Sequence, residues 1–213
     1  MIFLKPDMKK DVIKAIIDHK LLYISPNIDE KDWILLKNNS RTPIFLDTSK
    51  FISFPDLLEQ VNRLIIEIIE DKSIIFDQII GIPYGGLPFS YGVTSMLRVP
   101  GLSIRKEGYK NYSTQGELLG EYQAGDRVLM IEDATVTAKT VIEFVNKLQA
   151  SNLQINDVIT VLDIEKSARE NLAQLGVNLH PVFTWRELYE TYKEEYPDLI
   201  SADMKIFLDK FVN

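Results

Sequence analysis

Apolar and polar positions along the chain follow two different periods, and the clearest change from one to the other falls within residues 126–148, DRVLMIEDATVTAKTVIEFVNKL. Four consecutive apolar residues, Val128 to Ile131, precede two acids, Glu132 and Asp133. A run of small and hydroxyl residues follows from Ala134 to Thr140, and then Val141, Val145 and Leu148 recur at helical spacing. An unbroken apolar run of this length reads as a strand buried on both faces of a parallel sheet. The stretch therefore predicts strand, tight loop, helix.

The same reading extends in both directions. Residues 7–20 predict a first helix, with Asp7 as its cap and Val12, Ile13, Ile16 and Ile17 on one face. Residues 33–47 predict two short strands around the turn formers Asn38, Asn39 and Ser40. Residues 53–72 predict the longest helix, capped by Ser53, with an apolar stripe running from Leu57 to Ile69. Residues 76–81 lead a buried strand into the loop Ile82 to Pro88, and a helix over 88–97 follows. A short strand beginning at Leu102 ends in Arg105, Lys106 and Glu107, and passes into a polar loop holding Lys110, Tyr112, Ser113 and Thr114. A strand over 158–162 ends in Asp163, Ile164 and Glu165. A short helix over 167–175 stops at Gly176, and a last strand over 179–183 carries His180, read as a structural histidine. Residues 185–196 and 201–211 predict closing helices, the second with Met204, Phe207, Leu208 and Phe211 on one face.

Chemistry enters at the strand ends. Ligands of open parallel sheets bind beyond the carboxyl ends of the strands. A helix start offers unpaired N–H groups and a positive dipole end, which suits a phosphate, and Thr137 and Thr140 add hydroxyl donors. Carboxylates accept well from vicinal hydroxyls. Acid pair and phosphate loop together point to a sugar phosphate, with an ordinary βα turn and solvated acids as the alternative. The loop 82–88 forms a second candidate anion site, where glycines let backbone approach a ligand and adopt positive φ; again an ordinary turn is the alternative. The loop 107–114 has the composition of a lid or of a solvated charged loop. Lys37 by itself reads as a solvated strand lysine. His19 reads as a partner of a helix C-terminus or as exposed, since no second ligand stands at metal spacing.

Composition narrows the classes. The chain has 213 residues, 46% of them apolar, which suits one α/β domain with extra elements or, at most, two small ones. A net charge of −7 gives no bulk electrostatic case for nucleic acid or an anionic membrane. The absence of cysteine excludes disulfides, thiolate catalysis and cysteine metal sites, and fits a cytoplasmic protein. No apolar run is long enough to span a bilayer, and MIFLKPDMKK lacks the apolar core of a secretory signal.

The stretch VLMIEDATVTAKTV resembles the phosphoribosyl-pyrophosphate (PRPP) signature of the type I phosphoribosyltransferases, and is closer to the orotate phosphoribosyltransferases, including the form fused into UMP synthase. Glu132 and Asp133 match the signature, while Val136 stands for the usual Thr, Ala138 for Gly and Lys139 for a small residue. GIPYGGLPFS resembles the family's pyrophosphate loop, with Gly85 where some bacterial members carry Lys. Residues 33–47 resemble the stretch whose lysine and aromatic border the base, here Lys37 and Phe45. Arg105, Lys106 and Glu107 match the start of the family's lid. Asp163-Ile164-Glu165 stands where the family has Asp-Arg-Glu or Asp-Arg-Gln, whose Arg grips the orotate carboxylate.

The resemblance implies a type I phosphoribosyltransferase fold, α/β, with a central parallel sheet flanked by helices. It implies a single domain over residues 1–213 with a small N-terminal hood within 1–50. The implied protein is a cytoplasmic homodimer sharing lid residues across the interface, with PRPP and a nucleobase as partners, no nucleic acid or membrane, and Mg²⁺ held mainly through PRPP. Lys106, Lys110 and Asp133 would be catalytic. Tyr84, Gly85, Arg105, Lys106, Lys110 and Tyr112 would bind PRPP, together with Glu132, Asp133, Ala134, Thr135, Val136, Thr137, Ala138, Lys139 and Thr140. Lys37, Phe45, Leu46, Val136 and Ile164 would border the base. Orotate is the first expectation. The apolar Val136 and Ile164 keep two others open: a phosphoribosyltransferase for a different base, and a non-catalytic PRPP-binding regulatory module.

Overall fold

The computed structural model describes residues 8–36, 39–104 and 118–212. In chain order the elements are α1 (Met8–Asp18), β1 (Leu22–Ile24), β2 (Ile34–Leu35), β3 (Arg41–Thr42), β4 (Ile44–Leu46), α2 (Pro55–Asp71), β5 (Gln78–Gly81), α3 (Leu87–Leu97), β6 (Gly101–Ile104), β7 (Leu118–Leu119), β8 (Val128–Thr135), α4 (Lys139–Ala150), β9 (Asp157–Asp163), α5 (Ala168–Ala173), β10 (Asn178–Thr184), α6 (Trp185–Glu195) and α7 (Ala202–Val212). They group into two compact units, one formed by Met1–Leu57 with Trp185–Asn213, the other by Leu58–Thr184.

The second unit is built on a six-stranded sheet in the order β10-β9-β8-β5-β6-β7, parallel throughout except for β7. From β5 the chain runs outward to β6, then returns past β5 to lay β8 on its other edge, and continues away through β9 and β10. The direction of winding therefore reverses between β5 and β8, and that point is where an open α/β sheet leaves a crevice at its carboxyl edge.

Strand β8 is central in both senses. Val128, Leu129, Met130 and Ile131 are all buried. Val128 and Met130 join a core with Val141, Val145 and Leu148 of α4 and Leu172 of α5, while α3 packs on β5, β8 and β6. The predicted helical spacing of Val141, Val145 and Leu148 is thus the face that α4 buries. The predicted strand ended at Ile131, but β8 continues to Thr135. Pairing with β9 accounts for the extension: Glu132 faces Thr160, Ala134 faces Leu162 and Thr135 faces Asp163. Backbone hydrogen bonds to a neighbour hold polar residues in a strand that side-chain pattern alone would have ended.

Other boundaries moved for local reasons. Ser53 does not cap α2. It lies in a 3₁₀ turn, Thr48–Ser53, and Pro55 opens the helix. β7 has two residues and no period to read. Asn39 adopts the left-handed conformation (φ 64°) for which asparagine is suited. His180 on β10 bonds to Asp157 on β9 at 2.8 Å, the structural role expected of it.

In the first unit, α1 packs on α6 and buries Val12, Ile13, Ile16 and Ile17. Lys9 pairs with Glu187 at 2.6 Å and Lys14 with Glu195 at 3.1 Å along the same two helices. β1 pairs antiparallel with β4, and β2 with β3, so residues 33–47 hold three short strands where two were predicted. His19 stacks on Phe54, 4.2 Å between ring centroids, and Trp33 meets Phe207 at 5.5 Å.

At the amino edge of the sheet, Arg127 Nη2 and Nε donate to Asp77 at 2.7 and 2.9 Å, and the Arg127 backbone N–H donates at 2.9 Å. These bonds hold the Asp77 carboxyl down at about 2, below its ordinary 3.8. A depressed carboxylate stabilises the fold above its unfolded pKa, and that stabilisation is lost as pH falls through the folded value. Asp77→Asn is therefore expected to lower stability at neutral pH, with the difference from the parent shrinking between pH 3.8 and about 2. Urea titrations across that range check this; a deficit independent of pH would mean that Asp77 acts through shape and not charge.

Candidate active site

Two strand ends meet at the crevice. Past β5 the chain turns through Ile82, Pro83, Tyr84, Gly85 and Gly86 into α3, with a cis peptide between Pro83 and Tyr84. The Ile82 N–H donates to the Ile131 carbonyl of β8 at 2.9 Å and Gly86 N–H returns to the Ile82 carbonyl at 2.9 Å. The loop lies so close to β8 that side chains are excluded. A Cβ on Gly85 would stand 1.8 Å from Asp133 Oδ2, and one on Gly86 would stand 2.3 Å from the Ile131 carbonyl oxygen. Positive φ was the other expected use of these glycines, yet Gly86 has φ −73° and neither glycine is among those with positive φ. Close approach is what requires them. Tyr84 projects outward, 71% exposed.

The two acids differ in environment. Glu132 is buried, with Oε1 accepting the Asp133 backbone N–H at 2.9 Å. Burial first, then the bonding and charge of the Asp133 carboxyl, push Glu132 up to about 10 from its ordinary 4.5. Asp133 is half-buried, its Oδ1 accepting the Ala134 N–H at 2.9 Å and its Oδ2 lying over Gly85. The carboxyl edge of β8 thus offers a neutral acid, able to donate as well as accept, next to a reachable carboxylate. That combination suits a ligand with adjacent hydroxyls.

The loop after β8 is only three residues, Val136, Thr137 and Ala138, because the strand is longer and α4 begins at Lys139. Ala138 takes the left-handed conformation (φ 57°, ψ 20°) where the resembled signature has glycine. Its methyl is buried in the core with Val141 and Met130. Thr135 is also buried, and its Oγ1 has no hydrogen-bond partner among the described residues. Ala134, Val136, Thr137, Lys139 and Thr140 are exposed. Thr137 and Thr140 are thus exposed at the start of α4, where a helix leaves its first N–H groups unpaired, the donors an anion cradle draws on.

On the neighbouring strand end, the Ile164 N–H donates to the Thr135 carbonyl at 2.9 Å, which sets Ile164 beside the root of Val136. Asp163 is buried, accepts the Glu165 N–H at 2.9 Å, and is raised by burial. Phe45 and Leu46 lie on β4 of the other compact unit. Phe45 is exposed there, while the Leu46 side chain is buried in that unit's core. Lys37, Arg105, Lys106, Lys110 and Tyr112 lie outside the described residues. One contact had no sequence signal: Asn171 of α5 donates from Nδ2 to the Thr137 carbonyl at 3.0 Å. Among the described residues no group of three or more His, Cys, Asp or Glu could hold a metal by itself, and no helix is long and apolar enough to cross a membrane.

Comparison with known proteins places this geometry among relatives. The phosphoribosyl transferase domain family matches residues 50–184. An orotate phosphoribosyltransferase of Caenorhabditis elegans is 33% identical over 155 residues, covering 73% of this chain and 68% of that one. A uridine 5'-monophosphate synthase of Bos taurus is 35% identical over 150 residues, covering 70% of this chain; the chain matches 31% of that relative's length. The solved structure of a Leishmania donovani UMP synthase superposes with a TM-score of 0.77 at 23% identity, over 97% of this chain and 43% of that one, and shares the fold.

Two outcomes follow from the geometry. A raised carboxyl favours the fold below its unfolded pKa, and that advantage is lost as pH rises toward the folded value. For Glu132 the window runs from 4.5 to about 10. Glu132→Gln, which keeps an acceptor for the Asp133 N–H, is expected to flatten the decline of stability over that window and to raise the melting temperature on its alkaline side. Melts across the window test this, and an unchanged slope would contradict it. Gly85→Ala forces a methyl onto Asp133 and is expected to cost about 1–3 kcal/mol in urea unfolding; a neutral result would show that the β5 loop can retreat from β8.

Proposed function

The chain belongs to the phosphoribosyl transferase family, and we propose that it is an orotate phosphoribosyltransferase, transferring ribose 5-phosphate from PRPP to a ring nitrogen of orotate and releasing pyrophosphate. The observation that carries the proposal is the acid pair and the adjoining loop–helix cradle at the switch point between β5 and β8.

In this reading Glu132 and Asp133 hold the ribose 2- and 3-hydroxyls. Thr137 to Thr140, through hydroxyls and the α4 N–H groups, hold the 5'-phosphate, with Ala134, Thr135 and Val136 completing the loop. The Tyr84 and Gly85 backbone, with Arg105, Lys106, Lys110 and Tyr112, takes the pyrophosphate. The bond from the anomeric carbon to pyrophosphate breaks as the base nitrogen closes in, through an oxocarbenium-like transition state. With charge dense on the donor, positioning and fixed electrostatic donors carry most of the acceleration. In this reading Asp133, the more accessible of the two acids, would face the positive charge that develops on the ribose ring.

Mg²⁺ suits this donor set. Two neighbouring carboxyl groups beside an anion cradle are what that ion uses when substrate oxygens and water complete its shell. Bound there through PRPP, it would neutralise charge on the pyrophosphate. Asp133, the accessible member of the acid pair, is the residue that would face it.

Val136 and Ile164, neighbours at the carboxyl edge through the Ile164 N–H bond to the Thr135 carbonyl, border the base in this proposal. Val136 and Ile164 are apolar, and this favours a second reading in which the base lacks the orotate carboxylate, since losing a guanidinium fork from a buried carboxylate forfeits strong charge-assisted bonds. We further propose a cytoplasmic homodimer, which size-exclusion chromatography would report at about twice the 24.5 kDa chain.

The test is the ultraviolet loss of orotate with purified protein, PRPP and Mg²⁺, with uracil run in parallel. Turnover of orotate is expected, and Asp133→Asn is expected to cut kcat by about 10²-fold or more. Turnover of uracil in preference to orotate would establish the second reading. PRPP binding in calorimetry without turnover of either base would overturn both.

A further inference from the structure

The loop between β8 and α4 is held from the next βα unit. Asn171, half-buried on α5, directs Nδ2 to the Thr137 carbonyl at 3.0 Å and to Ser167 Oγ at 3.3 Å. A carbonyl only accepts, so the amide must present its NH₂ side to Thr137. In a trans peptide the carbonyl of one residue and the N–H of the next point in opposite directions. Drawing the Thr137 carbonyl toward α5 therefore turns the Ala138 N–H away from α5. Ala138 is left-handed, a conformation that gathers successive N–H groups into an anion-binding concavity. The N–H groups of Lys139 and Thr140 come next and belong to the first turn of α4, where helices leave donors unpaired.

We propose that Asn171 is a positioning residue for the 5'-phosphate: it sets the Thr137–Ala138 peptide so that the Ala138 N–H joins the cradle, without itself touching the ligand. The inference rests on the reading of residues 137–140 as that cradle. Among the described residues, Asn171 is the side chain seen to hold the Thr137 carbonyl. The Ala138 carbonyl is committed to the Ile142 N–H at 2.9 Å, and Thr135 and Ala138 are buried. Without Asn171 the Thr137 carbonyl loses this bond, and any rotation that brought its oxygen toward a phosphate would oppose binding.

Calorimetry on the full chain with two separate probes tests the assignment: ribose 5-phosphate, which needs the cradle, and Mg-pyrophosphate, which does not. Asn171→Ala is expected to weaken ribose 5-phosphate about three- to tenfold, the worth of one well-placed hydrogen bond, while pyrophosphate stays within about twofold. Asn171→Asp keeps the size, opposes the Thr137 carbonyl with an acceptor and adds negative charge, so it is expected to weaken ribose 5-phosphate further. In turnover both variants should raise KM for PRPP with little change in kcat. Unchanged ribose 5-phosphate affinity in either variant that folds would overturn the proposal. So would equal weakening of both probes, which would mark a general loosening of the unit. Failure of the parent protein to bind ribose 5-phosphate would remove the cradle itself, and is seen before any variant is compared.

Discussion

Strand β8 is hydrogen-bonded along one edge to β5 and along the other to β9, and every group at the carboxyl edge of the sheet takes its position from that double pairing. The pairing with β9 carries Glu132 through Thr135 in extended conformation past the end of the apolar run. The Ile82 N–H bond to the Ile131 carbonyl draws the β5 loop against the same strand. Two loops that belong to separate βα units thereby meet at one point, and each needs the other. Gly85 can lie over Asp133 only because it lacks a side chain, and Asp133 can fold back on the Ala134 N–H only because that space is open.

Burial then separates the chemistry of two adjacent acids. Glu132 and Asp133 are identical in charge and one carbon apart in length, yet successive residues of a strand face opposite sides of the sheet. Glu132 is turned into the interior and held neutral, up to about 10, while Asp133 stays within reach of a ligand. A neutral acid beside a carboxylate avoids the repulsion of two charges at one strand end and retains both a donor and acceptors. The cost is that the contribution of Glu132 to stability is lost as pH rises toward its folded value.

The fold distributes support for the cradle across units that are remote in sequence. Asn171 reaches Thr137 across 34 positions, and the Ala138 methyl takes a place in the core beside Met130. A left-handed alanine costs roughly 1–2 kcal/mol relative to the right-handed region, and burial of its methyl offsets part of that. The departure from the resembled signature at Ala138 is therefore accommodated by packing, whereas those at Val136 and Ile164 change the character of the neighbouring surface.

Much of this was legible without coordinates. The apolar run from Val128 to Ile131 reads as a strand buried on both faces, and Val141, Val145 and Leu148 read as one helical face, because those patterns follow from the backbone periods themselves. The acids and the hydroxyl loop are contiguous in sequence and the glycine loop is itself one short segment, so their chemistry could be read from local order. What could not be read depends on neighbours distant in the chain. The extension of β8 to Thr135 comes from β9, the role of Gly85 from Asp133, and the grip of Asn171 from α5. The neutral state of Glu132 comes from burial that no single strand determines. Side-chain period and turn chemistry are properties of one segment, and a sequence carries them directly. Strand pairing, close approach and desolvation are properties of two segments at once, and only the folded chain decides them.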